Sequence, residues 1–293
     1  MGIKYQGTVD PTHSASMGEK YFRVDTKDEW INTDGGTTWK RIPKENDSFT
    51  ALPKGYFDGL QMSFNTVAKV DIAAGACRDT TNAYDITPSA ILTADIAVSG
   101  KNGLDTGTEA ADTWYAVHVI GDTTGVNAPA SLLSLSATAP TQPSGYDVFR
   151  RVGWVRNNGS SAFINFVQRN SGRDRKIIYN TAAGDVNVLT GGTATVYTDV
   201  DCSSLMPSTA DSALLMAEFG AGTGGTVGQK LQIRGNFSTF DTVGSVLETA
   251  TTTAKVIHYR ELATDGSQII EYNVSDAANN IAIIRVYGYI DEL

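Results

Sequence analysis

From residue 57 onward the sequence is a succession of short apolar, β-branched or aromatic runs. Gly, Asp, Asn or Ser closes each run after about five to ten residues, and that punctuation favours strands over helices. Residues 57–64 and 68–73 alternate with a period of two, which turns one side of each toward a core. The run 113–120, Thr-Trp-Tyr-Ala-Val-His-Val-Ile, is the strongest strand signal, and 131–137, 146–155 and 162–168 continue it as an expected meander. The second half repeats the style at 193–200, 212–219, 230–234, 255–260, 269–274 and 281–289. Short strands at such regular spacing point to an all-β chain, a β-sandwich or jelly roll, and away from an α/β fold. Composition agrees: 29 glycines and only 19% charged residues leave few Lys/Glu faces for helices, while 41% hydrophobic residues suffice for a core. One short helix is expected at 88–97, with Thr87 as cap and Pro88 in the first position. No heptad or solenoid period is present.

The first 42 residues read as a separate β module. Asp34-Gly35-Gly36 lies between the β-prone flanks 29–32 and Trp39-Lys40-Arg41, where glycine supplies the positive φ of a tight hairpin. Trp30 and Trp39 are then expected to face each other across the ladder. The module holds too few apolar residues to be stable alone, so it should gain order by trimerising or by docking on something larger. Pro43, Glu45, Asp47 and Pro53 mark a linker over 43–54. The main domain spans 55–293, with a subdivision near 171–190 left open.

A formal net charge of -9 argues against a general nucleic-acid binder, which needs a basic surface to release counterions. Local basic runs at Arg150-Arg151 and at Arg169, Arg173, Arg175 and Lys176 are read as solvated loop. Cys77 and Cys202 match no metal spacing and are expected as reduced thiols in packed strands. The opening residues carry no charged-then-apolar pattern, so no secretory signal is expected, and no apolar stretch of about 18 residues suggests membrane insertion. His13, His118 and His258 accompany no Gly-x-Ser-x-Gly elbow or His-Glu-x-x-His helix. Gly220-Ala221-Gly222-Thr223-Gly224-Gly225 satisfies the dinucleotide spacing by letter, but the next segment reads as a strand and offers no helix N-terminus for a pyrophosphate. No catalytic residue, metal ligand or cofactor is therefore expected. A saccharide-degrading depolymerase is a less favoured reading, because the chain lacks the periodic scaffold of an extended saccharide groove.

An ordered set of residues goes further. It begins with Gly55-Tyr56-Phe57-Asp58-Gly59-Leu60 and Asp71-Ile72-Ala73-Ala74-Gly75 with Arg78-Asp79. Gly103-Leu104-Asp105-Thr106-Gly107, Thr113-Trp114-Tyr115, Tyr146-Asp147 and Phe149-Arg150-Arg151-Val152-Gly153 follow in order. From Gly55 to about Arg169 the chain thus resembles a module of bacteriophage tail-fibre and related virion proteins. The resemblance implies a homotrimeric virion structural protein, assembled in the host bacterial cytoplasm. Its N-terminal module would contact other virion proteins, and its larger domain would meet a host-surface glycan. Tail fibre is the leading role, and capsid decoration protein or head fibre the alternative. Asn32 to Trp39 also resembles the Asp-box hairpin, with Asp34, Gly36, Thr38 and Trp39 in place and Asn32 where that pattern carries Ser. Asp105, Trp114 and Tyr115 form a tentative glycan contact, weighed against an Asx turn beside core aromatics.

Overall fold

The computed structural model describes residues 3–24, 26, 28–42, 52–170, 172–221, 228–236, 245–248, 255–277 and 280–293. The chain divides into two compact units, Met1–Ala51 and Leu52–Leu293.

In the first unit, β1 (Ile3–Gly7), β2 (Lys20–Arg23), β3 (Asp28–Asn32) and β4 (Trp39–Ile42) form one sheet in that order. The first pair is parallel and the others antiparallel. The interior is thin: among the described residues only Pro11, Ala15, Tyr21 and Asn32 are buried. The two tryptophans do not face each other as expected. Asn32 lies opposite Trp39 and Trp30 opposite Arg41, so the rings are diagonal neighbours. Trp39 packs instead on Tyr5, His13 and Tyr21, and its indole nitrogen donates to the His13 carbonyl at 2.8 Å. The tip is a wide loop over 33–38 and not a tight two-residue turn. Only Gly35 takes a positive φ there, +72°. The Asp34 carboxylate accepts the Gly36 and Thr38 amides at 2.8 and 3.2 Å, and its pKa is held below the usual range by the Thr38 side-chain hydrogen bond first and the Gly36 amide next. Buried Asn32 accepts the Gly35 amide and donates to the Gly36 carbonyl, both at 2.8 Å. Asn32 thus spans the loop at the position where the Asp-box carries Ser.

The second unit is all-β. Its first strands are β5 (Phe57–Gly59), β6 (Met62–Thr66), β7 (Lys69–Ile72), β8 (Gly75–Arg78), β9 (Asp85–Ile86) and β10 (Leu92–Asp95). Next come β11 (Trp114–Gly121), β12 (Ala130–Ser134), β13 (Val148–Arg156), β14 (Phe166–Arg169), β15 (Asp174–Tyr179) and β16 (Asn187–Thr190). The last are β17 (Thr198–Asp201), β18 (Ala210–Ala221), β19 (Lys230–Gly235), β20 (Ser245–Glu248), β21 (Lys255–Ala263), β22 (Ile269–Val274) and β23 (Asn280–Glu292). Nine strands make the largest sheet, in the order β10-β7-β6-β14-β15-β23-β18-β21 with β16 added on β23. Smaller sheets run β12-β11-β13, β17-β22-β19-β20 and β5-β8-β9. They pack as a β-sandwich on one core, to which Val117, Val119, Leu215, Phe219, Ile270 and Ile284 contribute. On the other face of β11, Ile120, Ala130, Leu132 and Tyr146 form a second, smaller cluster, so this strand is covered on both sides.

Several expectations need correction. Residues 57–64 make two strands, because Leu60 takes φ +52° and breaks the run. No α-helix occurs among the described residues, and Leu92–Asp95 is a strand paired with β7 where 88–97 was expected to be helical. There Thr93 donates to Asp71 at 2.6 Å, and pairing outweighs the cap signal of Thr87-Pro88. The expected meander fails because β11 sits between β12 and β13 and β14 joins the nine-stranded sheet. The nine-stranded sheet takes strands from both sides of 171–190, which leaves no subdivision there. Residues 222–227 of the glycine-rich run lie outside the described residues, as does most of the 43–54 linker. Arg175 is not solvated. It is fully buried on β15, 4.6 Å from the Phe57 ring centroid, and donates to the Gly59 carbonyl at 3.0 Å.

Candidate functional site

One concave feature of the second unit follows from the register of β11 on β13. Trp114 lies opposite Arg156 and Ala116 opposite Trp154, which puts both indoles and the guanidinium on one face of the sheet. Trp114 and Trp154 meet edge to face at 6.4 Å, and the Arg156 and Arg151 guanidinium groups lie 5.8 and 5.7 Å from the Trp114 and Trp154 centroids. Trp114 donates to the Ser203 carbonyl at 2.8 Å and Trp154 to the Thr209 hydroxyl at 2.9 Å. Thr209 in turn donates to Asp291 at 2.6 Å, and Asp291 pairs with Arg151. Burial raises the Asp291 pKa, opposed by the Arg151 charge and its hydrogen bond. A chain of hydrogen bonds and cation–π contacts thus fixes both rings.

A cleft of about 450 Å³ opens over Trp114, Trp154, Ser203, Ser208 and Gln268. A larger one of about 680 Å³ adjoins it through the shared residues Asp112, Arg156 and Ser204. Asp112, at 3.6 Å from Arg156, is exposed at the junction. The loop before it is tied down by Asn157, whose amide donates to Glu109 at 2.9 Å and to the Ala110 carbonyl at 3.1 Å. Exposed Leu135 and Val67 stand on the two rims. A half-buried indole with hydroxyl, amide and ion-pair groups around it suits a ligand that is apolar on one side and hydroxylated on the other.

The tentative trio of Asp105, Trp114 and Tyr115 does not assemble as a contact surface. Tyr115 is 1% exposed, faces the core, and accepts the Ala110 amide at 2.8 Å. Asp105 is engaged by the Thr106 and Thr141 amides at 2.7 and 2.9 Å, the expected turn role extended to a second loop. Trp114 alone reaches the cleft. Sequence reading missed Trp154 and Arg156, although their i, i+2 spacing on a β run was the available signal. The cysteines are free and buried, and burial pushes each thiol pKa up to about 12. No cluster of His, Cys, Asp or Glu suited to a metal ion occurs among the described residues.

No protein-family model matches the chain, and no curated protein sequence does. Among solved structures, SGBP-B from a complex xyloglucan utilization locus in Bacteroides uniformis aligns over 91% of this chain and 79% of that one, at 9% identity. Its TM-score is 0.16, a value that carries no argument about fold or ligand.

Proposed function

We propose that this chain is a bacteriophage virion structural protein, a homotrimeric tail fibre whose small unit attaches to the particle and whose larger unit meets the host surface. Under this reading it binds and scaffolds, and it catalyses no reaction. The observation that carries the proposal is the ordered residue set from Gly55 to about Arg169. The thin interior of the first unit supports it, since a unit with four buried residues among those described gains stability by being covered. The Trp114 cleft is the candidate contact for a host saccharide, and several copies on one particle would raise weak binding to useful avidity.

Immunogold electron microscopy with antibody against residues 52–293 tests the assignment. Label on the tail supports the fibre. Label over the head moves the protein to capsid decoration or head fibre, and particles without label overturn the virion reading. Sedimentation of the purified protein as a monomer at micromolar concentration would remove the trimer. For the cleft, free protein should compete with adsorption, and Asp112→Ala or Trp114→Ala with an unchanged fold should compete less.

A further inference from the structure

The nine-stranded sheet ends at β21, and no described strand pairs with the outer edge of that strand. Its ladder with β18 runs through nine consecutive residue pairs, from Ser212–Ala263 to Gly220–Lys255, without a bulge. Neither proline nor glycine interrupts Lys-Val-Ile-His-Tyr-Arg-Glu-Leu-Ala. Only Leu262 of the nine residues is buried, while Ile257 and Tyr259 are 53% and 62% exposed. Long, regular, apolar edges are what soluble proteins ordinarily blunt with bulges, prolines or inward charges. Here the strand carries neither bulge nor proline, and its inward charge is the single Arg260.

The register on β18 sorts the side chains. Lys255, Ile257, Tyr259 and Glu261 share the outer face with Met216, and Val256, His258 and Arg260 share the inner one. Tyr287 extends the outer face, with its ring 5.7 Å from that of Tyr259. When the strand is laid antiparallel on itself about His258, Lys255 falls opposite Glu261 of the other copy and Ile257 opposite its Tyr259. A two-fold axis generates each pair twice. The outer face then carries two ion pairs flanking two aliphatic–aromatic cross-strand pairs, the combinations that stabilise antiparallel ladders. Such a contact is isologous and closes on itself.

We propose that β21 is a pairing edge for a second copy of this chain, in antiparallel register centred on His258. The charge pattern favours that occupant, because the two-fold sets Lys255 opposite Glu261 twice. The contact doubles whatever assembly the chain otherwise forms, so it stands independently of the proposed virion role.

The test is the mass of the full chain by analytical ultracentrifugation. Lys255→Glu alone and Glu261→Lys alone each set like charges opposite one another and should halve the mass relative to wild type. A one-to-one mixture of the two variants restores both ion pairs in the mixed pair, and the larger mass should return. Equal masses for wild type and both single variants would overturn the proposal, as would failure of the mixture to recover the larger mass. Lys255 and Glu261 also pair within the chain, with Glu218 at 2.6 Å and Lys176 at 3.9 Å, so a cross-linking variant keeps the proposal falsifiable if either charge variant fails to fold. Under mild oxidation His258→Cys should form a disulfide-linked dimer, because the central residues of the two copies are direct neighbours, whereas Val256→Cys should not. The buried native cysteines do not compete. Equal cross-linking at 256 and 258, or none at 258, would refute the register. A wild-type mass that falls only on removal of a copurifying protein would identify a different occupant of the edge and refute self-pairing.

Discussion

His118 is fully buried on β11, with Nε2 3.0 Å from the Ser136 carbonyl oxygen and its ring edge to face with Phe149 at 5.6 Å. Burial opposes the imidazolium and lowers its pKa from 6.5 to about 4. Between those values the unfolded chain takes up a proton that the folded chain refuses, so stability falls as pH drops from 6.5 toward 4 and this contribution levels off below 4. Denaturant titrations of wild type and His118→Gln across that window should show the wild type losing more stability on acidification. Equal slopes would remove the buried neutral imidazole. Gly288 carries a different constraint, since a side-chain carbon there would run into the Ile177 carbonyl oxygen on the neighbouring strand. Gly288→Ala should cost about 1–3 kcal/mol in the same measurement, and an unchanged midpoint would mean that β15 and β23 can separate without penalty.

At the level of elements, the hairpin loop depends on Asn32 more than on either glycine beside it. Asn32→Ala removes hydrogen bonds from a buried side chain and should cost the first unit about 1–3 kcal/mol. Trp39→Ala should cost more than Trp30→Ala, because Trp39 holds three rings and the His13 carbonyl while Trp30 stands diagonal to it. Thermal melts of the two variants check the order, and equal losses would restore a cross-strand pair. Strands rich in aromatic and β-branched residues, such as 113–120, were legible in the sequence because those side chains favour a strand whatever its partner. The expected helix at 88–97 failed because a local cap signal competes poorly with a ladder to β7 that only the folded chain supplies. Likewise β15 was hidden by its charges, and Arg175 turned out to be buried against Phe57. Of the candidate site, Trp114 was legible as an aromatic in a strong strand. Trp154, Arg156 and Asp112 were not, since their convergence depends on the register of β11 on β13 and on a loop from another part of the chain.

Across the whole molecule, the split at residues 51 and 52 makes a separate prediction. A fragment of residues 52–293 should keep the midpoint and circular-dichroism signature of the larger unit, and a shift of several degrees would show that the first unit contributes to its stability. Within that unit, β23 lies inside the nine-stranded sheet and pairs with β15, β16 and β18. Its partners are all made before it. During synthesis, β15 and β18 therefore leave the ribosome with bare hydrogen-bonding edges and keep them until residues 280–292 arrive. The sheet cannot be assembled in the order in which it is translated, and a nascent chain stalled before Asn280 would present chaperones with strand edges that have nothing to pair with.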